Sequence, residues 1–343
     1  MKRITIKEIA RLAGVSVGTV DRVLHDRGEV AAATRDQVLK IAKEGNYSTN
    51  VFARNLKLNK TYTLAVILPE DNEYWKAQRS GIMSVSEEYA SLGMQLDFYT
   101  FDRHNEDSFI IQSKKALTSL PDGVIMAPLQ AKEAKEICMA LTRNDIPFVF
   151  VDSNLDGVQP LAFIGQDSIQ SGFLAAKLLN FGCPKGHPSV IIRYTDFDSI
   201  NKTMDERIAG FRKFYATNNF DPALIKEIEI ESEQSQINED FIIGMGDPLH
   251  LFVPNSRSHQ IVKRIKQLGN NTYRLVGYDM IEENVKYLKE GCIDFLIHQS
   301  PKLQGNLAVQ VFYKHLILKS DVTSTQFMPL DILTKENVTF ATY

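Results

Sequence analysis

The chain has 343 residues, 44% hydrophobic and 24% charged, with a formal net charge of -3. That length allows two or three domains, and the composition is ordinary for a globular protein with a sizeable core, so disorder is not the default expectation. Residues 1–60 hold 12 Lys and Arg against 6 Asp and Glu, an excess of six that leaves -9 on the remainder. A basic head on an acidic body points to a polyanionic partner for the head alone, although a solvated basic face gives the same count.

The start, "MKRITIKEIARLAG", is basic and lacks the apolar run of a signal peptide. No later stretch approaches the roughly 18 uncharged apolar residues of a membrane span. Both features lead us to expect a cytoplasmic protein. Cys138, Cys183 and Cys292 have neither CxxC nor zinc-finger spacing, and their odd number argues against a disulfide framework, so buried free thiols are expected.

Thr5-Ile6-Lys7-Glu8 has the form of a capping box, which starts a helix near Ile6. Ile6, Ile9, Ala10 and Ala13 form one apolar stripe, and Gly14 ends the helix in a sharp turn. Ser16 then caps a second helix whose Val20, Val23 and Leu24 pack on the first, while Val17, Gly18, Asp21 and Arg22 face away. This is a helix-turn-helix, with the N-terminal residues of the second helix offered to a DNA major groove. A third helix, from about Ala33 to Glu44, turns Val38, Leu39, Ile41 and Ala42 inward and stops at Gly45. Many helical hairpins share the spacing of the first two helices, for which packing alone is an equal explanation; the third helix and the residues after it shift the balance toward DNA binding.

That segment, "TIKEIARLAGVSVGTVDRVL" followed by "TRDQVLKIAKEGNYSTNVFARNLK", resembles the DNA-binding head of the lactose-repressor (LacI/GalR) family. The resemblance implies that Val17, Gly18 and Arg22 approach base edges, while Ser16, Thr19 and neighbours, Thr5 among them, hold phosphates. Direct readout would then rest on Arg22 and on apolar contact with thymine methyls. Asp21 stands where the family usually has serine; it either accepts from a cytosine amino group or orients Arg22 or Arg27, or lies in solvent just off the interface. Asn50 caps a helix to about Lys57, too short to be stable alone in water. By resemblance this is a hinge helix that enters the minor groove, with Ala53 and Arg54 fitting the motif and Leu56 wedging into a base step.

From Thr61 onward apolar runs alternate with amphipathic segments: "TLAVILP", "MQLDFYTF", "GVIMAP", "PFVFVD", then "LAFIGQD", "SVIIRYTD", "IKEIEIE", "HLFVPN", "YRLVGYD" and "DFLIHQ". These read as buried parallel strands in two successive sets, hence two Rossmann-like lobes. The body resembles the family's effector domain and the type 1 periplasmic sugar-binding proteins, in which the chain crosses between lobes three times. We place the crossings near Asp156–Leu161, Ile297–Ser300 and Thr325–Met328. The resulting architecture is a helix-turn-helix head at 1–48, a hinge and linker at 49–60, one lobe at 61–160 and 299–325, and a second at 161–298 and 326–343.

Ligands of open α/β sheets sit at the carboxyl ends of the strands. Those ends carry Asp102, Asp152, Asp167, Asp196, Asn255, Asp279 and Gln299. About half should only cap the next helix, since Asp and Asn do so routinely. Arg207, inside "DERIAGF", has no apolar reason to be there. By resemblance, Asp152, Arg207, Asn255, Asp279 and Gln299 contact the effector and Tyr74 and Trp75 line its cleft, with Asn72 and Asp102 completing the set. The family's Asn-Asp pair is replaced by Asn255-Ser256. Carboxylates and amides for hydroxyls, an arginine and an aromatic face suit a sugar, with sugar acids and sugar phosphates kept open by Arg193 and Arg207.

No enzyme chemistry is expected. Gly244-Met245-Gly246 is only a fragment of a dinucleotide fingerprint, the seven histidines are scattered, and there is no metal motif or paired nucleophile and base. The expectation is a homodimeric, cytoplasmic transcriptional regulator, a repressor by resemblance, without cofactor or metal. It would bind a near-palindromic operator under control of a small effector. The alternative is a carbohydrate receptor that has lost DNA binding, which Asp21 and Gly18 keep in play.

Overall fold

The structure, a computed structural model, describes residues 4–24, 27–45, 47, 60–70, 72–103, 105–183, 185–195, 202–230, 249–268 and 273–341. Asn50, Ala53, Arg54 and Leu56 of the expected hinge, Asp196, and Gly244 to Gly246 lie outside the described residues. The chain divides into two units, 1–58 and 59–343.

The first unit carries three helices: α1 (Ile6–Ala13), α2 (Val17–Leu24) and α3 (Ala32–Glu44). The capping box forms as expected, with Glu8 N–H donating to the Thr5 hydroxyl at 3.3 Å and the Thr5 N–H donating to the Glu8 carboxylate at 2.8 Å. Gly14 closes α1 at φ +66°, the left-handed conformation that glycine adopts without penalty. Ser16 caps α2 by accepting from the Thr19 N–H at 3.1 Å. Ile9, Ala10, Ala13, Val20, Val23, Val38 and Ala42 form the core. Leu39, expected inside, is 44% exposed. One residue turns a helix by about 100°, so with Val38 buried its neighbour falls off the inner face. Gly45 ends α3 at φ -82° and is glycine for space: a Cβ there would lie 2.4 Å from Ile4 Cγ2.

The second unit consists of two sheets with helices on both faces. In chain order it contains β1 (Tyr62–Pro69), α4 (Glu73–Ser84), α5 (Ser86–Ala90), β2 (Met94–Phe101), α6 (Glu106–Thr118), β3 (Gly123–Met126), α7 (Ala131–Arg143), β4 (Phe148–Val151), β5 (Ala162–Gly165), α8 (Ser168–Leu179), β6 (Ser189–Tyr194) and α9 (Lys202–Thr217). There follow β7 (Ile225–Ile230), β8 (Leu249–Phe252), α10 (Ser258–Leu268), β9 (Tyr273–Tyr278), α11 (Glu282–Lys289), β10 (Phe295–His298), α12 (Pro301–Phe312), β11 (Thr325–Phe327) and β12 (Asp331–Leu333). The first sheet has the order β11-β5-β4-β3-β1-β2, all parallel, and the second β12-β10-β9-β8-β6-β7, parallel except for β12. Central strands such as β3 and β4 are buried at every residue, whereas the edge strands β2 and β7 are half-exposed, as their interleaved polar residues require.

The lobe boundaries differ from expectation. β5, the "LAFIGQD" run, pairs with β4 in the first sheet, so the first crossing falls at Gln166–Asp167 and not at Asp156–Leu161. β11 pairs with β5 and β12 with β10, which moves the last crossing to 328–330. Apolar runs announce buried strands but not which sheet receives them, and three-residue edge strands carry too little pattern to be seen. Gln166 ties the crossings together, its Nε2 donating to the carbonyls of His298 at 2.9 Å and Pro329 at 2.8 Å. Of the thiols only Cys138 is buried; Cys183 and Cys292 are half-buried, a correction to the expectation for those two. Among the described residues no helix is long and apolar enough to cross a membrane.

Candidate functional site

On the first unit none of the described residues expected to meet DNA is buried. Thr5, Ser16, Val17, Gly18 and Arg22 are exposed, and Thr19 and Asp21 are half-buried. Val17 leaves 44% of its surface in solvent at the start of α2, a position the core does not claim. A Cβ at Gly18 would meet only the Ser16 hydroxyl, at 3.7 Å, so packing does not require glycine there. Arg22 lies back along α2, its Nε donating to the Gly18 carbonyl at 3.3 Å.

In the second unit both lobes turn strand ends toward one cleft that opens to solvent, with about 500 Å³ of space between its walls and mouth. β4 is followed by Asp152 at φ +68° and β9 by Asp279 at φ +69°. Left-handed backbone costs a non-glycine residue about 1–3 kcal/mol, least for Asp and Asn, and such outliers cluster at ligand sites. Of the expected residues, Asn72, Tyr74, Trp75, Asp152, Arg207, Asn255, Asp279 and Gln299 line the cleft. Asp102 does not; its N–H donates to the Ser108 hydroxyl at 3.0 Å, and its neighbour Arg103 is the lining residue. Asp167 is a cap, accepting from the Gln170 N–H at 2.9 Å.

Sequence reasoning missed Leu129, Thr203, Met204 and Pro254 as lining residues. Thr203 and Met204 stand four and three residues before Arg207 on α9, so helical spacing from Arg207 could have found them. Leu129 carries no such signal.

The lining groups are chained together. The Tyr74 hydroxyl donates to Asp152 Oδ1 at 2.5 Å. Arg207, buried and stacked on the Tyr278 ring at 3.8 Å, donates through Nη1 to the Pro254 carbonyl at 2.9 Å and through Nη2 to Gln299 Oε1 at 2.5 Å. Gln299 Nε2 in turn donates to Asp279 Oδ1 at 2.8 Å. Behind them Asn284 clamps two loops, its Nδ2 donating to the carbonyls of Ser256 at 2.8 Å and Tyr278 at 2.9 Å. Burial pushes the Asp279 carboxyl up to about 7, against the pull of Arg207 and the Gln299 hydrogen bond. Burial also raises Asp152, again against Tyr74 and Arg207. The Tyr74 phenol is held well above its usual range by burial and then by the two carboxylates. Burial that disfavours the ionised carboxylates is offset by a ligand that supplies donors to them.

Contacts join the lobes on either side of the cleft. Thr203 donates to the Ser153 hydroxyl at 3.1 Å, Lys202 pairs with Asp156, and the Glu282 N–H at the start of α11 donates to the Glu73 carboxylate at 2.7 Å.

Residues 5–50 match the bacterial regulatory proteins of the lacI family, and residues 64–320 the periplasmic binding protein domain. The HTH-type transcriptional repressor PurR of Aliivibrio fischeri is 26% identical over 97% of this chain and 98% of its own length. A crystal structure from Bacteroides fragilis, assigned to the LacI transcriptional regulators, is 31% identical, covers 82% of this chain and all of that one, and superposes with a TM-score of 0.75. A solute-binding protein of Burkholderia graminis in complex with D-arabinose, 17% identical over 83% of this chain and 99% of its own, shares the fold at a TM-score of 0.71.

Proposed function

The chain belongs to the LacI family of bacterial transcriptional regulators, and from that premise we propose that it is a homodimeric cytoplasmic repressor whose hold on a near-palindromic operator is set by an uncharged sugar in the cleft. The observation that carries the ligand class is the hydrogen-bonding capacity left over in the site. Asn72 and Asn255 spend their carbonyl oxygens on the N–H groups of Trp75 and Arg257, which leaves their NH₂ donors for a ligand. Asp152 and Asp279 each commit one oxygen, to Tyr74 and Gln299, and keep the other for a ligand. A polyol offers donors and acceptors to both sets, whereas a ligand carboxylate or phosphate would face two acids. Tyr74 and Trp75 supply an apolar wall for the C–H face of a sugar ring.

The alternative, a receptor that has lost DNA binding, has no observation in its favour, since α1 and α2 keep their caps and their core. In the favoured reading the paired heads and hinge segments, with Asn50, Ala53, Arg54 and Leu56, engage operator DNA. The ligand binds one lobe arrangement better than the other, a coupling typically of about 1–3 kcal/mol.

The test is an electrophoretic shift with the DNA upstream of the chain's own gene, repeated with Arg22→Ala and Leu56→Ala. It is paired with calorimetry of D-arabinose, D-allose and myo-inositol against their acid and phosphate derivatives. Loss of the shift in both variants and binding of neutral sugars alone are expected. A shift indifferent to both substitutions removes the operator reading, and tighter binding of acids or phosphates removes the ligand class.

A further inference from the structure

Gln304 lies on α12, outside the strand ends, and does not line the cleft, yet its amide is spent on the residues that do. It is fully buried. Its Oε1 accepts from the Asp152 N–H at 3.0 Å and from Gln78 Nε2 at 3.3 Å. Its Nε2 donates to the Tyr74 hydroxyl at 3.3 Å and to the Gln299 carbonyl at 2.9 Å. One side chain thus ties together three lining residues that arrive on separate segments: the start of α4, the left-handed turn after β4, and the crossing after β10.

An amide has two acceptor lone pairs and two donor protons, and all four are used. Leucine or methionine would supply neither kind of group, and ionised glutamate would lack the donors. The amide reaches this point because α12 and α4 cross at glycines. A Cβ at Gly305 would lie 2.3 Å from the Gln78 carbonyl oxygen, and one at Gly81 would lie 1.9 Å from that of Lys302. Where two helices meet this closely, an apolar side chain would fill the gap without the penalty of burying an amide, so a bonded glutamine at this point needs a reason beyond packing.

We propose that Gln304 is a positioning residue of the effector site, holding Tyr74, Asp152 and Gln299 in register so that the cleft is preformed before the ligand arrives. The proposal rests on the cleft being an effector site, and its test separates the two claims.

Trp75 is the chain's only tryptophan, 3% exposed, with its ring 5.0 Å from that of Tyr74. Quenching of its emission by acrylamide therefore reports on this corner of the cleft without any ligand. The full chain is measured as wild type, Gln304→Met and Gln304→Glu across pH, alongside thermal unfolding. In Gln304→Met we expect a cooperative unfolding transition with a severalfold rise in quenching at every pH. In Gln304→Glu the protonated acid regains one donor, so quenching should stay near wild type at low pH and rise as that buried acid ionises. Tyr74 and Asp152 bond its amide, and Asp279 and Arg207 act on Tyr74 through their charge; all are present in the wild type, whose own profile is subtracted.

Wild-type quenching at all pH values in the folded variants overturns the proposal and leaves Gln304 as core filling. Should Gln304→Met not fold, the pH profile of Gln304→Glu decides. If the wild type binds none of D-arabinose, D-allose or myo-inositol, the sugar reading falls while the quenching result on Gln304 still stands.

Discussion

Replacing Asp279 by Asn should make the chain more stable at pH 8, with a difference that fades as the pH falls. Burial raises this carboxyl from an ordinary 3.8 to about 7, even with Arg207 and Gln299 opposing the shift. Above pH 7 the folded chain holds a charge that the unfolded chain holds more cheaply. Between about 4 and 7 folding takes up a proton, so this group's contribution to stability is highest below the unfolded value and is lost as pH rises through the folded one. About three pH units at 1.36 kcal/mol each set an upper limit of roughly 4 kcal/mol on the cost at pH 8. Asparagine keeps the shape, accepts the same Gln299 bond, and tolerates φ +69° as well as aspartate does. Urea unfolding of both proteins from pH 5 to 8 measures the difference directly. A variant less stable than wild type at pH 8, or a gap independent of pH, would refute the reasoning. In the same variant effector binding should be lost, since the oxygen left for the ligand becomes an amide donor.

Three further outcomes follow from the geometry. Gly18→Ala should stabilise the head by about 0.5–1 kcal/mol, because nothing crowds a Cβ there and alanine is the better helix former; denaturation of the full chain reads this against the operator shift, which we expect to weaken. Gly172→Ala places a Cβ 1.8 Å from the carbonyl oxygen of Arg207, so α9 must move; a loss of about 1–3 kcal/mol in stability and a loss of effector response in calorimetry are expected, and an unchanged response would show that Arg207 tolerates displacement. Lys202→Met removes the pair with Asp156 across the cleft; that carboxylate is 85% exposed, so effector affinity should fall by no more than about fivefold, and a larger drop would mean that this pair governs closure.

Much of the plan was legible because its signals are local. A capping box, a glycine at φ +66° and apolar residues at helical spacing identify α1 and α2 without reference to anything distant. The strand ends were legible for the same reason, and eight of the nine expected cleft residues line the cleft. What failed depends on non-local choice. Assigning β5 to the first sheet requires knowing which edge is open, and the exchange of Asp102 for Arg103 turns on the local course of the chain after β2. Gln304 was unreadable from sequence: a glutamine inside "PKLQGNLAVQ" is ordinary on a helix, and only the crossing at Gly81 and Gly305 brings it under the cleft. The positive φ of Asp152 and Asp279 was equally hidden, though Asp after a strand at least permitted it.

The most direct test of the account is the dissociation constant of the full chain for a labelled duplex from its own upstream region, measured by fluorescence anisotropy with and without a saturating neutral sugar. The account predicts binding that weakens steeply with added salt and a change of about 5-fold to 150-fold on adding sugar. An identical constant at saturating sugar, or an affinity indifferent to salt, would contradict it.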